Sequence, residues 1–422
     1  MQLTNNGAVK ASKWLPYFVC FSASLFFFYE FIQGNMFASI ADNLMHDFQI
    51  DPQRLTYLSS IYYLSNVLFL FVAGYVLDHY SPKKTLLFAM FLCVLSTFIF
   101  SHTNQFYVAL LCRFVTGIGS AFCFLGPIRV ASRWFSVNQM AMITGLVVTF
   151  AMTGGVLSQY PLTQLVALWG WRASVQAIAW LGVGLWFVML LGIHETNITL
   201  DAEQHSKLSI ADIFKKIYLN ASIMRAALYT SLMNMAVAVF GAMMGTLYLM
   251  QRCQIEKSQA SLINAMLFLG AIIGGPFVGW ISDHIGRRVL PMKIAAVVTL
   301  WLILGIMYMP VGPIMMGVLF FLLGLVTAAQ VISYAWVAES SSPQITAMAV
   351  SAISVLTQGG YVIYHNVFSF LLVHFSSSQS HVQGMVYGLR SYQSAAIILP
   401  IGVAIAYVLL GKMKDVHARE IN

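Results

Sequence analysis

The chain has 422 residues, of which 59% are hydrophobic and 9% charged, with a net charge of +8. A soluble globular protein needs far more charge than this, so the environment these residues expect is hydrocarbon. The basic residues sit in short loops between apolar runs, which makes them topology signals and excludes a nucleic-acid face.

Apolar runs of the length of one bilayer crossing, about 20 residues, recur along the whole chain. Read between polar punctuation, they predict helices near 15–41, 54–78, 84–103, 105–132, 138–160 and 171–194, then near 222–251, 258–283, 288–309, 312–338, 344–374 and 383–410. Lys10 and Lys13 precede the first run, and no small-residue cleavage site follows it, so it reads as a retained helix. The one long polar stretch, 196–220, carries Asp201, Glu203, Lys207, Asp212, Lys215 and Lys216 and divides the chain into a bundle over 1–195 and a second over 221–422. An even helix count places both termini on one side. Lys83, Lys84, Arg133, Lys215, Lys216, Arg287, Arg288, Lys293, Lys412 and Lys414 fall on that side, while Asp42, Asp47, Asp51 and Glu256 fall opposite. By the positive-inside rule both termini are expected in the cytoplasm, and the expected location is a bacterial inner membrane. Cys20, Cys93, Cys112 and Cys123 lie within apolar runs and only Cys253 near a loop, so no disulfide is expected.

The two bundles repeat one another. Gly74-Tyr-Val-Leu-Asp78-His-Tyr-Ser-Pro-Lys83-Lys84 follows the second run, and Gly279-Trp-Ile-Ser-Asp283-His-Ile-Gly-Arg287-Arg288 follows the eighth, 205 residues later. Gly154-Gly155 and Gly359-Gly360 keep the same offset of 205. Two six-helix halves of parallel topology follow, a construction typical of secondary transporters.

At these residues the chain resembles the major facilitator superfamily, whose loop signature between helices two and three is G-x-x-x-D-x-x-G-R-[KR]. The second copy matches fully, and the first has Ser81-Pro82 in place of Gly-Arg. Arg113-Phe-Val-Thr-Gly117-Ile-Gly119-Ser-Ala121 resembles that family's fourth-helix motif, whereas its fifth-helix G-P-x-x-G motif is reduced here to Gly154-Gly155 and Pro161. Phe28-Tyr29-Glu30-Phe31, with Trp134-Phe135 and Gly170-Trp171-Arg172, is similar to a proteobacterial nutrient-permease branch. The resemblance implies an all-α membrane fold of twelve helices in two pseudo-symmetric bundles. It also implies that Gly74, Asp78, Lys83 and Lys84, with Gly279, Asp283, Arg287 and Arg288, form loops that latch the halves together when one end closes. Asp78 with Arg129, and Arg287 or Arg288 with Glu339, are the expected charge partners.

Charges inside hydrocarbon cost about 2.5–3.5 kcal/mol each on insertion scales, so each is a functional candidate. Glu30 falls mid-helix in the first run, followed by Gln33 and Asn35, with Gly34 permitting close packing or a local break. A carboxylate there is placed to carry a proton or a substrate amine. Arg113, in the outer half of helix four, is placed to fork onto a substrate carboxylate or to tune Glu30. Tyr63, Asn66, Asn234, Asn264, Gln330, Tyr334, Gln358, Tyr361 and His365 complete the expected lining for a small polar solute, with His365 also a proton candidate. No G-x-x-x-x-G-K-[ST] loop and no Cys/His metal spacing occur, so neither enzyme chemistry, direct ATP use, a metal nor a cofactor is expected, and a proton gradient is the expected energy source. The reading is a monomeric, lipid-embedded, proton-coupled importer of a small polar nutrient such as an amino acid, binding no nucleic acid. A proton-driven exporter of drugs or siderophores, suggested by 23 Met and 30 Phe, and a non-transporting receptor are the alternatives.

Overall fold

The computed structural model describes residues 14–135, 137–194, 219–341, 346–376, 387–413 and 415. The expected linker falls almost entirely outside them. Among the described residues, nine helices are long and apolar enough to cross a membrane. One of these, Met142–Gly192, reverses at Gly170, whose φ of 76° lies in the left-handed region that glycine enters freely, and so supplies two crossings. A pair of helices bent by 41° and the 29-residue Thr346–His374 bring the spans to twelve.

The spans of the first half are α1 (Leu15–Asn35) with α2 (Phe37–Phe48), α3 (Pro52–His79), α4 (Pro82–His102), α5 (Phe106–Ser120) with α6 (Leu125–Ala131), α7 (Val137–Leu157), and α8 (Tyr160–Gly192). The part of α8 before Gly170 extends span five, and the rest is span six. The second half contains α9 (Ala221–Met233), joined through a π-helical turn (Val237–Met244) to α10 (Gly245–Cys253), then α11 (Lys257–Ile285) and α12 (Val289–Tyr308). There follow α13 (Pro313–Thr327) with α14 (Val331–Ser340), α15 (Thr346–His374), and α16 (Leu389–Ala396) with α17 (Ile398–Gly411).

Local chemistry sets the ends. Asp51 and Ser81 accept the backbone N–H groups of Arg54 and Lys84 ahead of Pro52 and Pro82, and Asn220 caps α9 in the same way. The repeat is visible in the backbone as well. Gln49 and Gln254, 205 residues apart, end their helices with the same φ of 52° and ψ of 48°. Spans one and seven are both broken, and so are spans four and ten.

The two ends of the molecule differ. At the end remote from the termini, the halves are joined. The α2 helix packs on the π-helical turn and α10, α11 packs on α7 and α8, and α3 packs on α15. Lys257 Nζ meets Asp42 Oδ1 at 2.6 Å and Asn43 Oδ1 at 3.0 Å, Thr56 meets Ser369, and Gln164 donates to Ser258. At the end carrying the termini, α6 packs on α1, α3, α4 and α7, and α14 packs on α9, α11 and α15, each within its own half. Gly74, Gly279 and Gly359 have open space where a side chain would stand.

Candidate functional site

The break in span one organises the site. Helix α1 ends at Asn35, and the carbonyls of its last turn take side-chain donors from three other spans, as an interrupted helical ladder in a dry interior requires. Arg113 Nη1 donates to Gln33 O at 3.2 Å, the Tyr63 hydroxyl to Gly34 O at 3.0 Å, and Gln159 Nε2 to Asn35 O at 3.4 Å. The guanidinium of Arg113 thus places a full positive charge at the negative end of a helix. Its Nε donates to Leu58 O at 3.2 Å, and its carbon lies 4.8 Å from the Phe37 ring centroid and 4.6 Å from that of Tyr62. Only Nη2 has no hydrogen-bond partner.

Glu30 lies one turn before this break and is 2% exposed. Its Oε2 accepts the Tyr62 hydroxyl at 3.0 Å. Its Oε1 has no oxygen or nitrogen partner, and the Cys93 thiol is among its neighbours. Glu30 and Arg113 therefore share Tyr62 between them instead of bonding to one another, which leaves one acceptor and one donor of a buried acid and base unused. Such groups are costly to leave unmade. Gln33 extends the cluster, its Nε2 donating to the Tyr29 hydroxyl and Thr97 Oγ1 at 3.0 Å each. Asn66 Nδ2 donates to Ser120 Oγ at 2.7 Å, and its Oδ1 is unpartnered.

Span seven is built alike. His365 Nε2 lies 2.8 Å from Ala238 O and Asn264 Nδ2 donates to Phe240 O at 3.0 Å, so the carbonyls of the π-helical turn and of the residues beside the break in span one stand in register, 205 residues apart. Because Nε2 faces a carbonyl it carries the proton, and His365 Nδ1 accepts the Ser59 hydroxyl, 3.2 Å away, from the other half. Tyr63 packs against Tyr361 with centroids 4.6 Å apart and the rings tilted by 41°, again across the halves.

The structure thus gathers Glu30, Gln33, Tyr63, Asn66 and Arg113 into a buried network of the first half and places Asn264, Tyr361 and His365 at the joint between halves. The Asn35 and Asn234 side chains are turned onto their own helices, donating to Phe31 O and Thr230 O at 2.7 and 3.2 Å. Gln358 and Gln330 are the open amides: Gln358 is half-buried and makes no side-chain hydrogen bond among the described residues, and Gln330 Oε1 is unpartnered there, while the Tyr334 hydroxyl is close to Ser354 and Thr357.

Of the expected charge pairs, the one to Glu339 is formed. Arg288, not Arg287, meets Glu339, with Nη2 to Oε1 at 2.7 Å, and it also binds Asp283. Glu339 and then Asp283 hold its guanidinium above its ordinary pKa, against the opposing effect of burial. Asp415 accepts the backbone N–H groups of Arg288 and Val289 at 3.1 and 2.6 Å. All of these groups belong to the second half, so in this conformation the cluster ties spans eight, nine and ten to the segment after span twelve and does not bridge the halves. The physical reason is the separation of the two halves at this end. The side chain of Asp78 lies outside the described residues. Arg129 and Lys83 are partly buried there and Lys84 is exposed, its backbone N–H capped by Ser81 at 3.2 Å.

Sequence reasoning missed Gln159. It stands where span five bends beside Pro161, at the end of the run expected over 138–160, where a single uncharged glutamine gives no spacing signal of its own.

Comparison with known proteins bears on the same architecture. The chain is 20% identical over 240 residues to the probable sulfoacetate transporter SauU of Cupriavidus necator, 53% of this chain and 55% of that one. It is 22% identical over 287 residues to the mouse lysosomal dipeptide transporter MFSD1, 62% of this chain and 60% of that one. It is 20% identical over 272 residues to the Escherichia coli sialic acid transporter NanX, 64% of this chain and 65% of that one. The aligned stretch spans 55 to 65% of the length of these relatives. Among solved structures, a bacterial homologue of the human lysosomal transporter Spinster, inward-facing and occupied, superposes with a TM-score of 0.76 at 13% identity, covering 96% of this chain and 98% of that one. The nucleoside transporter NupG gives 0.72 at 14% identity, covering 94% and 100%. The Major Facilitator Superfamily model matches residues 19–364 and again 226–420, two overlapping matches, as a twice-repeated architecture allows, and this multi-pass membrane chain belongs to that superfamily.

Proposed function

We propose that this protein is a secondary active transporter that carries a small polar solute bearing an acid group, together with a proton, through a bacterial inner membrane. The observation that carries the reading is Glu30, a carboxylate 2% exposed in the middle of a membrane span, held by the Tyr62 hydroxyl with the Cys93 thiol beside it and in no ion pair among the described residues. Such a residue is expensive to keep in the bilayer, and a protein that moves a proton with its cargo needs one. Arg113 Nη2 offers the complementary donor for a carboxylate, and Gln330 and Gln358 offer amides from the opposite half. Sulfoacetate and sialic acid, the solutes in the names of two bacterial relatives, are acids of this class. With the basic loops and both termini in the cytoplasm, the unjoined end faces inward, and a proton gradient directed into the cell makes such a symporter an importer.

The test is uptake by the purified protein in liposomes. Labelled sulfoacetate, sialic acid, dipeptides and single amino acids are offered under an imposed gradient, acid outside. Accumulation that needs the gradient is expected for one of them, with Glu30→Gln abolishing accumulation while leaving exchange of unlabelled for labelled solute. Accumulation that ignores the gradient, or that survives Glu30→Gln, overturns the reading.

A further inference from the structure

We infer that Gln159 is the positioning residue of the joined end: a single carboxamide that clamps the break in span one to the break in span seven. Its Nε2 faces Gly241 O at 3.0 Å, from the second half, and, from its own, Ser158 Oγ at 3.1 Å and Asn35 O at 3.4 Å, so that its two N–H groups are shared among three acceptors. Its Oε1 accepts Asn264 Nδ2 at 2.7 Å, and Asn264 Nδ2 also donates to Phe240 O. Gln159 is 0% exposed, and so is Asn264. One side chain therefore meets backbone carbonyls on both broken spans and takes a donor from the Asn264 amide of span eight, whose Oδ1 stays unpartnered. No water is needed to complete its donors.

The position is suited to this. Span five bends at Ser158-Gln159 ahead of Pro161, where Gln159 has a φ of −94° and a ψ of −106°, outside the helical region, so its side chain leaves the helix sideways into the joint. The Ser39 hydroxyl donates to Ser158 O at 2.7 Å, and Thr163 Oγ1 donates to Ser39 Oγ at 2.9 Å, which fixes that bend against α2. Across the molecule the Ser59, His365 and Ala238 chain links spans two, eleven and seven. The Asn264, Gln159 and Asn35 chain links their repeat counterparts, spans eight, five and one. The two chains are related as the halves are, but among the described residues only Gln159 holds carbonyls from both broken spans. Separating the halves at this end must unmake every bond of Gln159 to the second half at once, and the three carbonyls of the span-one break tie that event to Arg113, and through Tyr62 to Glu30.

The inference deepens the transport reading, and its test needs neither a substrate nor a gradient, so the two fail separately. Thr56 and Ser369 touch across the joint, and the full-length protein carrying Thr56→Cys and Ser369→Cys, in detergent, is oxidised with iodine while single-cysteine versions report background from the native thiols. The rate of cross-linking reads the fraction of molecules joined at this end. Gln159→Leu, similar in volume and unable to hydrogen-bond, is expected to lower that rate at least about threefold, since each lost bond shifts such an equilibrium by roughly fivefold. Asn264→Ala should lower it in the same direction by less. Only the fraction eluting as a single species in gel filtration is scored. If Gln159→Leu does not yield that species, Asn264→Ala decides. A cross-linking rate unchanged in the scored variant overturns the inference, since a residue that merely supports the fold would lower the melting temperature and leave this rate alone.

Discussion

Tyr62 donates its hydroxyl to the Glu30 carboxylate at 3.0 Å, and the ring that carries that hydroxyl is the one on which the Arg113 guanidinium lies, at 4.6 Å. An acid and a base in the same dry half-bundle are thus kept apart by one aromatic residue that satisfies each in a different way. Tyr62→Phe separates the two functions. It keeps the ring under Arg113 and removes the hydroxyl hydrogen bond to Glu30, at an expected cost of about 1–3 kcal/mol for a buried polar group left without that partner. Thermal unfolding in detergent should show a lowered midpoint, and gradient-driven uptake should fall while exchange persists. A midpoint unchanged from wild type would mean that the Tyr62 hydroxyl does not hold the carboxylate.

Arg113 should not tolerate a lysine. Its Nε and Nη1 reach Leu58 O and Gln33 O, carbonyls of two different spans, and the planar group lies over two rings, Phe37 and Tyr62. An ammonium keeps the charge but has neither the fork nor the flat faces. Arg113→Lys is expected to lose about 1–3 kcal/mol, because one of the two carbonyls goes without its donor, and Arg113→Ala to lose more. If thermal unfolding shows Arg113→Lys to be neutral, the guanidinium is not pinning the break in span one.

Two classes of glycine are expected to part company. A Cβ at Gly117 would collide with the backbone carbonyl of Tyr62 and with Ser65 Oγ, so spans two and four touch there through main chain. Gly117→Ala should cost about 1–3 kcal/mol by overpacking, read as a lowered melting temperature. It should also disturb the residue that holds Glu30. Gly74→Ala and Gly279→Ala meet nothing within 4 Å and should leave the melting temperature unchanged, showing themselves only in transport rate, when the loops that carry them approach the other half. A stability loss at Gly74 or Gly279 equal to that at Gly117 would contradict this division.

Much of this was legible in the sequence, and the residues show why. The twelve spans and the repeat follow from apolar run length and from the pairing of Gly74 and Asp78 with Gly279 and Asp283, because the bilayer imposes a length and the repeat imposes an offset. Glu30 and Arg113 stood out because charge in hydrocarbon is rare. The span boundaries were less legible. Span one was expected to end near residue 41, but α2 runs to Phe48, because Asp42 and Asp47 find partners in Lys257 and Trp171 while Leu44 and Met45 stay buried. The break at Met36 is not marked by a proline, and the capping of its carbonyls depends on Tyr63, Arg113 and Gln159, residues far apart in the chain that only tertiary packing brings together. Which polar residues would turn onto their own helices, as Asn35 and Asn234 do, is likewise invisible to spacing.

The charge cluster at the other end should behave as a partly screened network. Arg288 is 15% exposed at its side chain, Glu339 33% and Asp283 68%, so solvent and salt weaken the pairs that join them. Glu339→Gln removes the better-formed of the two and should cost no more than about 1 kcal/mol. The loss in melting temperature should shrink as salt is raised from low ionic strength to about 1 M, where the Debye length falls to about 3 Å. A loss that persists in full at high salt would mean that Glu339 acts by packing and not by charge.

The ion pair at the joined end offers a sharper test, because it crosses the halves. Lys257 reaches Asp42 at 2.6 Å and Asn43 at 3.0 Å, with the two charged side chains 20% and 41% exposed. Reversing one charge, by Asp42→Lys or by Lys257→Asp, sets like charges against one another across the joint. For an exposed pair this shifts an equilibrium by up to about fivefold, enough to slow cross-linking of Thr56→Cys to Ser369→Cys at low salt. The double exchange, Asp42→Lys with Lys257→Asp, restores opposite charges in the same place and should recover most of the parental rate. If the double exchange is as slow as the single reversals, the two residues are held by their separate surroundings, and their meeting contributes nothing to keeping that end of the molecule joined.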